Sequence, residues 1–257
     1  MAFGNPSRLA ATALAFFVYA DTGFAGQPAP AKDDAPLGVV ELFTSQGCSS
    51  CPPADELFTD LAARKDIVAL SYHVDYWDYL GWKDTLSSKK NTERQYAYMQ
   101  SFRTRSVYTP QAVINGRTHV NGANRAAVDA TLADMDKASK GMKVAVNVTH
   151  EGDGVVIEAG NAAANWSGPS NAHVIVVYFE APQTVAIGRG ENGGRSETYW
   201  NAVYDIQTAG MWHGKTQRYE LPMSEVSKKG GSAVLLQAVG KDGLPGPILG
   251  AAMIRKP

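Results

Sequence analysis

Residues 41–55 read Glu41-Leu42-Phe43-Thr44-Ser45-Gln46-Gly47-Cys48-Ser49-Ser50-Cys51-Pro52-Pro53-Ala54-Asp55. An apolar, β-branched run over 39–44 ends inside this stretch, and Gln46 and Gly47 mark a turn. The two cysteines then lead into a segment that carries Leu57, Phe58 and Leu61 at helical spacing. A second apolar run follows at 67–74. Strand, helix and strand within about 40 residues is the size of a βαβ unit, and its crossover is expected to be right-handed.

Working outward, residues 84–105 are rich in Lys, Gln, Tyr and Arg and contain no Gly or Pro, which predicts one or two helices. Thr109-Pro110 interrupts, residues 111–115 form a strand, and Asn115-Gly116 is a hairpin turn signal before a returning strand at 118–120. Asn124 suits the N-cap of a helix running to about residue 140, with Val128, Leu132 and Met135 on one face. After Gly141 the pattern changes. Residues 143–149 alternate strictly, and further short strands are expected at 155–159, 173–180, 233–240 and 248–254, separated by Gly-rich turns and without a convincing helix. Residues 142–257 therefore read as an all-β, sandwich-like domain.

The chain has 257 residues, 44% hydrophobic and 19% charged, with a formal net charge of -1. That length suits one large domain or two ordinary ones. The charge balance offers no basic footprint, so nucleic acid is not an expected partner. Arg8 is the only charge before an apolar run at 9–20, and small residues follow at Gly23, Ala25, Ala29 and Ala31. This order is that of a secretory signal; the run falls short of the ~20 residues that span a bilayer. Residues 1–25 are read as a signal peptide, cleaved after Ala25 with Ala31 as the alternative, and 26–36 as a disordered lead-in. The mature chain is then expected to be periplasmic or secreted, not an integral membrane protein, and to work where disulfides persist.

The cysteines carry the strongest chemical signal. C-x-x-C at a strand-to-helix junction places Cys48 at a helix N-terminus, where unpaired N–H groups and the helix dipole favour a thiolate. Such a thiolate attacks disulfides, and Cys51 one turn on can resolve the mixed disulfide. Two alternatives stand beside this reading. One is a structural disulfide, although a four-residue loop removes only about 2 kcal/mol of unfolded-state entropy. The other is a copper or zinc site of Cys48, Cys51 and His73. Apart from the redox-active disulfide itself, no cofactor is expected. Thr109-Pro110 followed by an apolar strand resembles the order found after the cysteine pair in the thioredoxin superfamily, and that resemblance implies a cis peptide bond, beside which an extended substrate can pair. The same resemblance implies a buried acid near the resolving cysteine, and Glu41 is the candidate proton acceptor. Tyr76 and Trp77, with Tyr79 and Trp82, form an aromatic cluster that can floor a substrate site, and His73 and Asp75 are expected on one side of their strand. Gly188-Arg189-Gly190-Glu191-Asn192-Gly193 fits a dinucleotide fingerprint by letters, but no apolar helix follows, so it reads as a loop between strands. Arg189 and Glu191 are its candidates for reaching the first domain.

The cysteine pair and the Thr109-Pro110 strand resemble the thioredoxin superfamily. More closely, the stretch quoted above, the run His73-Val74-Asp75-Tyr76-Trp77-Asp78-Tyr79-Leu80-Gly81-Trp82-Lys83-Asp84 and Arg189-Gly190-Glu191-Asn192 resemble the secreted bacterial domain-of-unknown-function family 1223. The resemblance implies an α/β thioredoxin-like domain over 37–141 followed by the β-rich domain over 142–257. The expected activity is exported thiol–disulfide oxidoreduction on a protein or small-thiol partner. The competing expectations are a copper-binding or metallochaperone protein and a non-catalytic binding protein.

Overall fold

The first strand, β1 (Gly38–Thr44), is buried along its whole length, and its alternation shows why. Val40 and Leu42 meet Ala54, Leu57, Phe58 and Leu61 of helix α1 (Pro52–Ala63) on one face, whereas Val39 and Phe43 join a second core on the other. Strand β2 (Ile67–His73) lies parallel to β1, and after helix α2 (Lys89–Phe102) strand β3 (Gln111–Ile114) pairs antiparallel on its other side. Strand β4 (Thr118–Asn121) completes a sheet of order β2-β1-β3-β4. Asn115 and Gly116, both at positive φ, make the β3–β4 turn. Helix α3 (Arg125–Lys137) begins at Asn124, whose side chain accepts the Ala127 N–H, and buries Val128 and Leu132 beside α1. The computed structural model describes Met1 and residues 35–138, 141–226 and 229–254. The expected signal peptide apart from Met1, and nearly all of the lead-in, lie outside the described residues.

The remaining elements are β5 (Val146–Glu151), β6 (Gly154–Ala159), β7 (Ala172–Phe179), β8 (Gln183–Ala186), β9 (Ser196–Tyr199), β10 (Val203–Trp212), β11 (Gln217–Pro222), the short helix α4 (Met223–Val226), β12 (Gly231–Val239) and β13 (Pro245–Ile254). They form sheets of order β10-β7-β12-β13 and β11-β6-β5, and a separate β8-β9 hairpin. Strands β8 to β11 are not among those expected from the sequence. β10 is an edge strand with both faces partly exposed, so it carries neither an apolar run nor clean alternation.

The expected architecture, an α/β thioredoxin-like domain followed by an all-β sandwich-like domain, is not what the structure shows. The described chain is mostly strand, spread over four sheets, with few helices. Its central core also joins both halves: Val39, Phe43, Leu70 and Tyr72 share one cluster with Ile175, Val177, Phe179, Ala233 and Leu235. The physical reason lies in β7 and β12. Their alternate residues, Val174, Val176 and Tyr178 on β7 and Val234 and Leu236 on β12, face β6 across a second core. An outer sandwich sheet would turn polar residues to water, but these strands are apolar on both faces because the first sheet and α2 cover the other one. Polar ties reinforce the junction. Asn91 Nδ2 donates to the carbonyls of both His73 and Val203, and Asn201 Nδ2 donates to that of Ala69. No helix among the described residues is long and apolar enough to cross a membrane.

Candidate functional site

Cys48 and Cys51 are joined by a disulfide, with their Cα atoms 5.4 Å apart. Cys51, rather than Cys48, occupies the N-cap of α1, followed by Pro52 and Pro53. Proline is tolerated there because its missing N–H has no intrahelical partner to lose. The Cys51 carbonyl accepts the N–H groups of Ala54 and Asp55, and its own N–H donates to the Cys48 carbonyl in the preceding turn. Ser50 Oγ lies 3.7 Å from Cys48 Sγ. Both cysteines are 0% exposed, although Ser49 and Ser50 between them face solvent.

The Thr109–Pro110 peptide bond is cis. Pro110 is buried beside the first turn of α1: a Cβ added to Gly122 would lie 3.4 Å from Pro110 Cβ and 3.5 Å from Ala54 Cβ. Trp77 reaches the same place. Its Nε1 donates to Thr109 Oγ1 at 2.8 Å, and its Cβ packs on Gly47, just before Cys48. The pair, Trp77, Thr109 and Pro110 thus converge. Tyr76 stands beside them: its ring lies 6.1 Å from that of Trp77, its hydroxyl donates to Gln95 on α2, and burial pushes its phenol up to about 12 against the hydrogen bonds to Thr109 and Gln95. Asp75 lies beyond the end of β2 and meets Thr92 of α2 rather than sharing the His73 side of the strand.

Glu41 projects from the β1 face opposite Thr44 and α1, so the structure does not bring it to the cysteines. Its carboxylate accepts from Arg94 Nε at 2.7 Å and from the Tyr98 hydroxyl, and Arg94 also donates to Gln237 on β12. A buried ion pair with every oxygen engaged holds α2 between the two larger sheets. Burial alone would favour neutral Arg94, but the adjacent Glu41 carboxylate outweighs it and raises the guanidinium pKa further.

Against the other face of β1 lies a carboxyl group of α1 that no local sequence signal marks. Asp55, four residues after Cys51, is buried and accepts from Thr44 Oγ1 at 2.8 Å. Desolvation raises its pKa to about 7, against the opposing effect of His73. His73 is paired with Thr44 across β1 and β2 and is fully buried. Its Nδ1 lies 2.7 Å from Asp84 Oδ2, its Nε2 has no hydrogen-bond partner among the described residues, and its ring meets Tyr199 edge-on at 4.7 Å. Burial works against the imidazolium, yet the Asp84 carboxylate prevails and holds the His73 pKa above its ordinary value. Burial likewise opposes the Asp84 carboxylate, but His73 and the N–H groups of Gln46 and Leu86 prevail and lower its pKa. The alternative ligand set of Cys48, Cys51 and His73 is not assembled: no three His, Cys, Asp or Glu among the described residues are grouped to hold a metal ion.

The site is roofed from the second half of the chain. Strands β8 and β9 present a tip in which Asn192 is buried, and its Nδ2 donates at 2.9 Å to the carbonyls of both Gln46 and Cys48. Gly188 and Gly190 pack on Trp82, whose Nε1 donates to Gln46 Oε1. Arg189 and Glu191, the residues expected to make this contact, are exposed. Asn192 is in the quoted motif, but only the folded hairpin shows which of its side chains turns inward.

A family model described as a protein of unknown function, DUF1223, matches residues 39–237. The chain belongs to the DUF1223 family. The membership read from the three sequence strings is thereby shown. A crystal structure of an Agrobacterium tumefaciens protein is similar at 47% identity and TM-score 0.77, covering 86% of this chain and 94% of that one. HBP35 of Porphyromonas gingivalis is similar at 13% identity and TM-score 0.56, covering 86% and 75% respectively. At that identity the likeness concerns the fold alone. A comparison with curated proteins found no match.

Proposed function

We propose that this DUF1223 protein is an exported thiol–disulfide oxidoreductase that acts through Cys48 and Cys51 on a protein or small-thiol substrate. The observation that carries this reading is the setting of the disulfide. It closes on the N-cap of a helix, beside a cis-proline and a buried titratable carboxyl group. A staple in so short a loop contributes only about 2 kcal/mol on the chain-entropy model, and it needs neither a helix N-terminus nor an acid to do so. Helix N-termini stabilise thiolates. In the reduced state Cys48 attacks a substrate disulfide, Cys51 closes on Cys48, and two electrons pass to the substrate, which leaves as two thiols. The N-terminal charge and apolar run support export to a compartment where such chemistry occurs.

The test is the reduction potential of the pair, measured in glutathione buffers with accessible thiols counted at each point. A value between about -270 and -120 mV, the span of exchange proteins, is expected. A value well below about -300 mV marks a structural disulfide and overturns the proposal.

A further inference from the structure

We propose that Asp55, not Glu41, accepts the proton of the Cys51 thiol, and that His73 is the group that favours the Asp55 carboxylate against its burial. This inference rests on the exchange reading above. Cys51 is the N-cap of α1, and its φ of -82° and ψ of -35° already follow the helical path. Residues four apart on a helix are neighbours on one face, so Asp55 lies beside Cys51. Both residues are buried, and Thr44 of β1 fixes the orientation of the Asp55 carboxyl group.

The groups that face Asp55 come from every element packed around it. Thr44 donates from β1, His73 attracts from β2, Asp84 repels from the segment before α2, and Glu197 repels from β9. Tyr199, two residues along β9 from Glu197, closes the cluster over the His73 ring. Burial and two acids oppose ionisation of Asp55, while one imidazolium and one hydroxyl favour it. The resulting balance near neutrality is what a proton acceptor working at physiological pH requires. Glu41 lies on the opposite face of β1, away from the cysteines, where Arg94 engages it directly.

The step balances with a disulfide of the protein or glutathione class as oxidant. The Cys48 thiolate attacks it, forming a mixed disulfide and releasing one half as a thiolate. Cys51 then gives its proton to the Asp55 carboxylate and attacks Cys48 Sγ. The Cys48–Cys51 bond forms, the mixed disulfide breaks, and the second half leaves as a thiolate that recovers the proton from Asp55.

The experiment mixes the reduced protein with oxidised glutathione, quenches in acid and follows the Cys48–glutathione adduct by mass spectrometry from pH 5 to 9. In the wild type the adduct should close quickly, with a rate that levels off near neutral pH. In Asp55→Asn, which keeps the shape of the side chain, the adduct should accumulate and close at least roughly tenfold more slowly at pH 7. Thr44→Val, which removes the donor that favours ionised Asp55, should move the midpoint of the profile upward. Closure of Asp55→Asn at the wild-type rate with the wild-type pH profile overturns the role of Asp55 and leaves exchange by the pair intact. Failure of the reduced wild type to capture glutathione at all overturns the exchange reading, and this inference with it.

Discussion

Two buried carboxyl groups lie on opposite sides of β1, and their surroundings differ. Glu41 meets a guanidinium, a phenol and, through them, Gln237 from the other half of the chain. Asp55 meets one hydroxyl, with its cation, His73, already shared with Asp84. A buried acid with a cation in direct contact is a fixed element of architecture. A buried acid whose charge is only partly matched can gain and lose a proton near neutral pH. Glu41 was the more conspicuous acid in the sequence, because it stands in the strand that enters the cysteine motif. The structure shows that strand parity aims it at the interface between sheets.

The largest effect should come from breaking the matched side. Arg94→Met leaves the Glu41 carboxylate buried without its cation, and removing one member of such a pair costs about 3–5 kcal/mol. Urea unfolding of the chain measures it, and a loss below about 1 kcal/mol would remove the contrast between the two acids. On the other side, the sign reverses. The folded carboxyl of Asp55 sits near 7, against an ordinary value of 3.8. Between about pH 4 and pH 7 the unfolded chain ionises this group while the folded chain keeps it protonated, so stability falls as pH rises. The full penalty, at most about 4 kcal/mol, stands above pH 7. Asp55→Asn should therefore gain stability over the wild type as pH rises from 4 to 8. A difference independent of pH would show that Asp55 does not titrate in this range. Such a gain would mark a stability cost carried for function.

The smallest effect concerns the roof. Asn192→Ala removes two hydrogen bonds to backbone carbonyls of the cysteine loop. At about 0.5–1.5 kcal/mol each, their loss should make opening of the β8–β9 hairpin roughly tenfold more frequent. The rate at which dithiothreitol reduces the fully covered disulfide reads this directly. An unchanged rate would mean that the pair is reached without moving the hairpin.

The parts of the site that follow local rules are visible before folding. Cysteine spacing at a strand-to-helix junction, the Thr-Pro before an apolar strand and the Asn124 cap each act within a few residues of chain. Asp55 and Asp84 were inside the quoted strings too, but an acid near a helix start reads as an exposed partner of the helix dipole. Nothing local says that β9 will cover it. The same holds for the fold. The apolar runs at 173–180 and 233–240 announced buried strands, yet a run of apolar residues does not name what lies on each face.

From the residues alone, the chain declares a family, a C-x-x-C pair at a strand-to-helix junction and most of the strands and helices that carry it, because these depend on short-range pattern. The shared core of the two halves, the sidedness of Glu41 and Asp55, and the Asn192 roof were decided only in three dimensions. Each depends on desolvation by partners distant in sequence: β7 and β12 against the first sheet, Gln237 against α2, and a hairpin from residues 183–199 over a loop at 46–51.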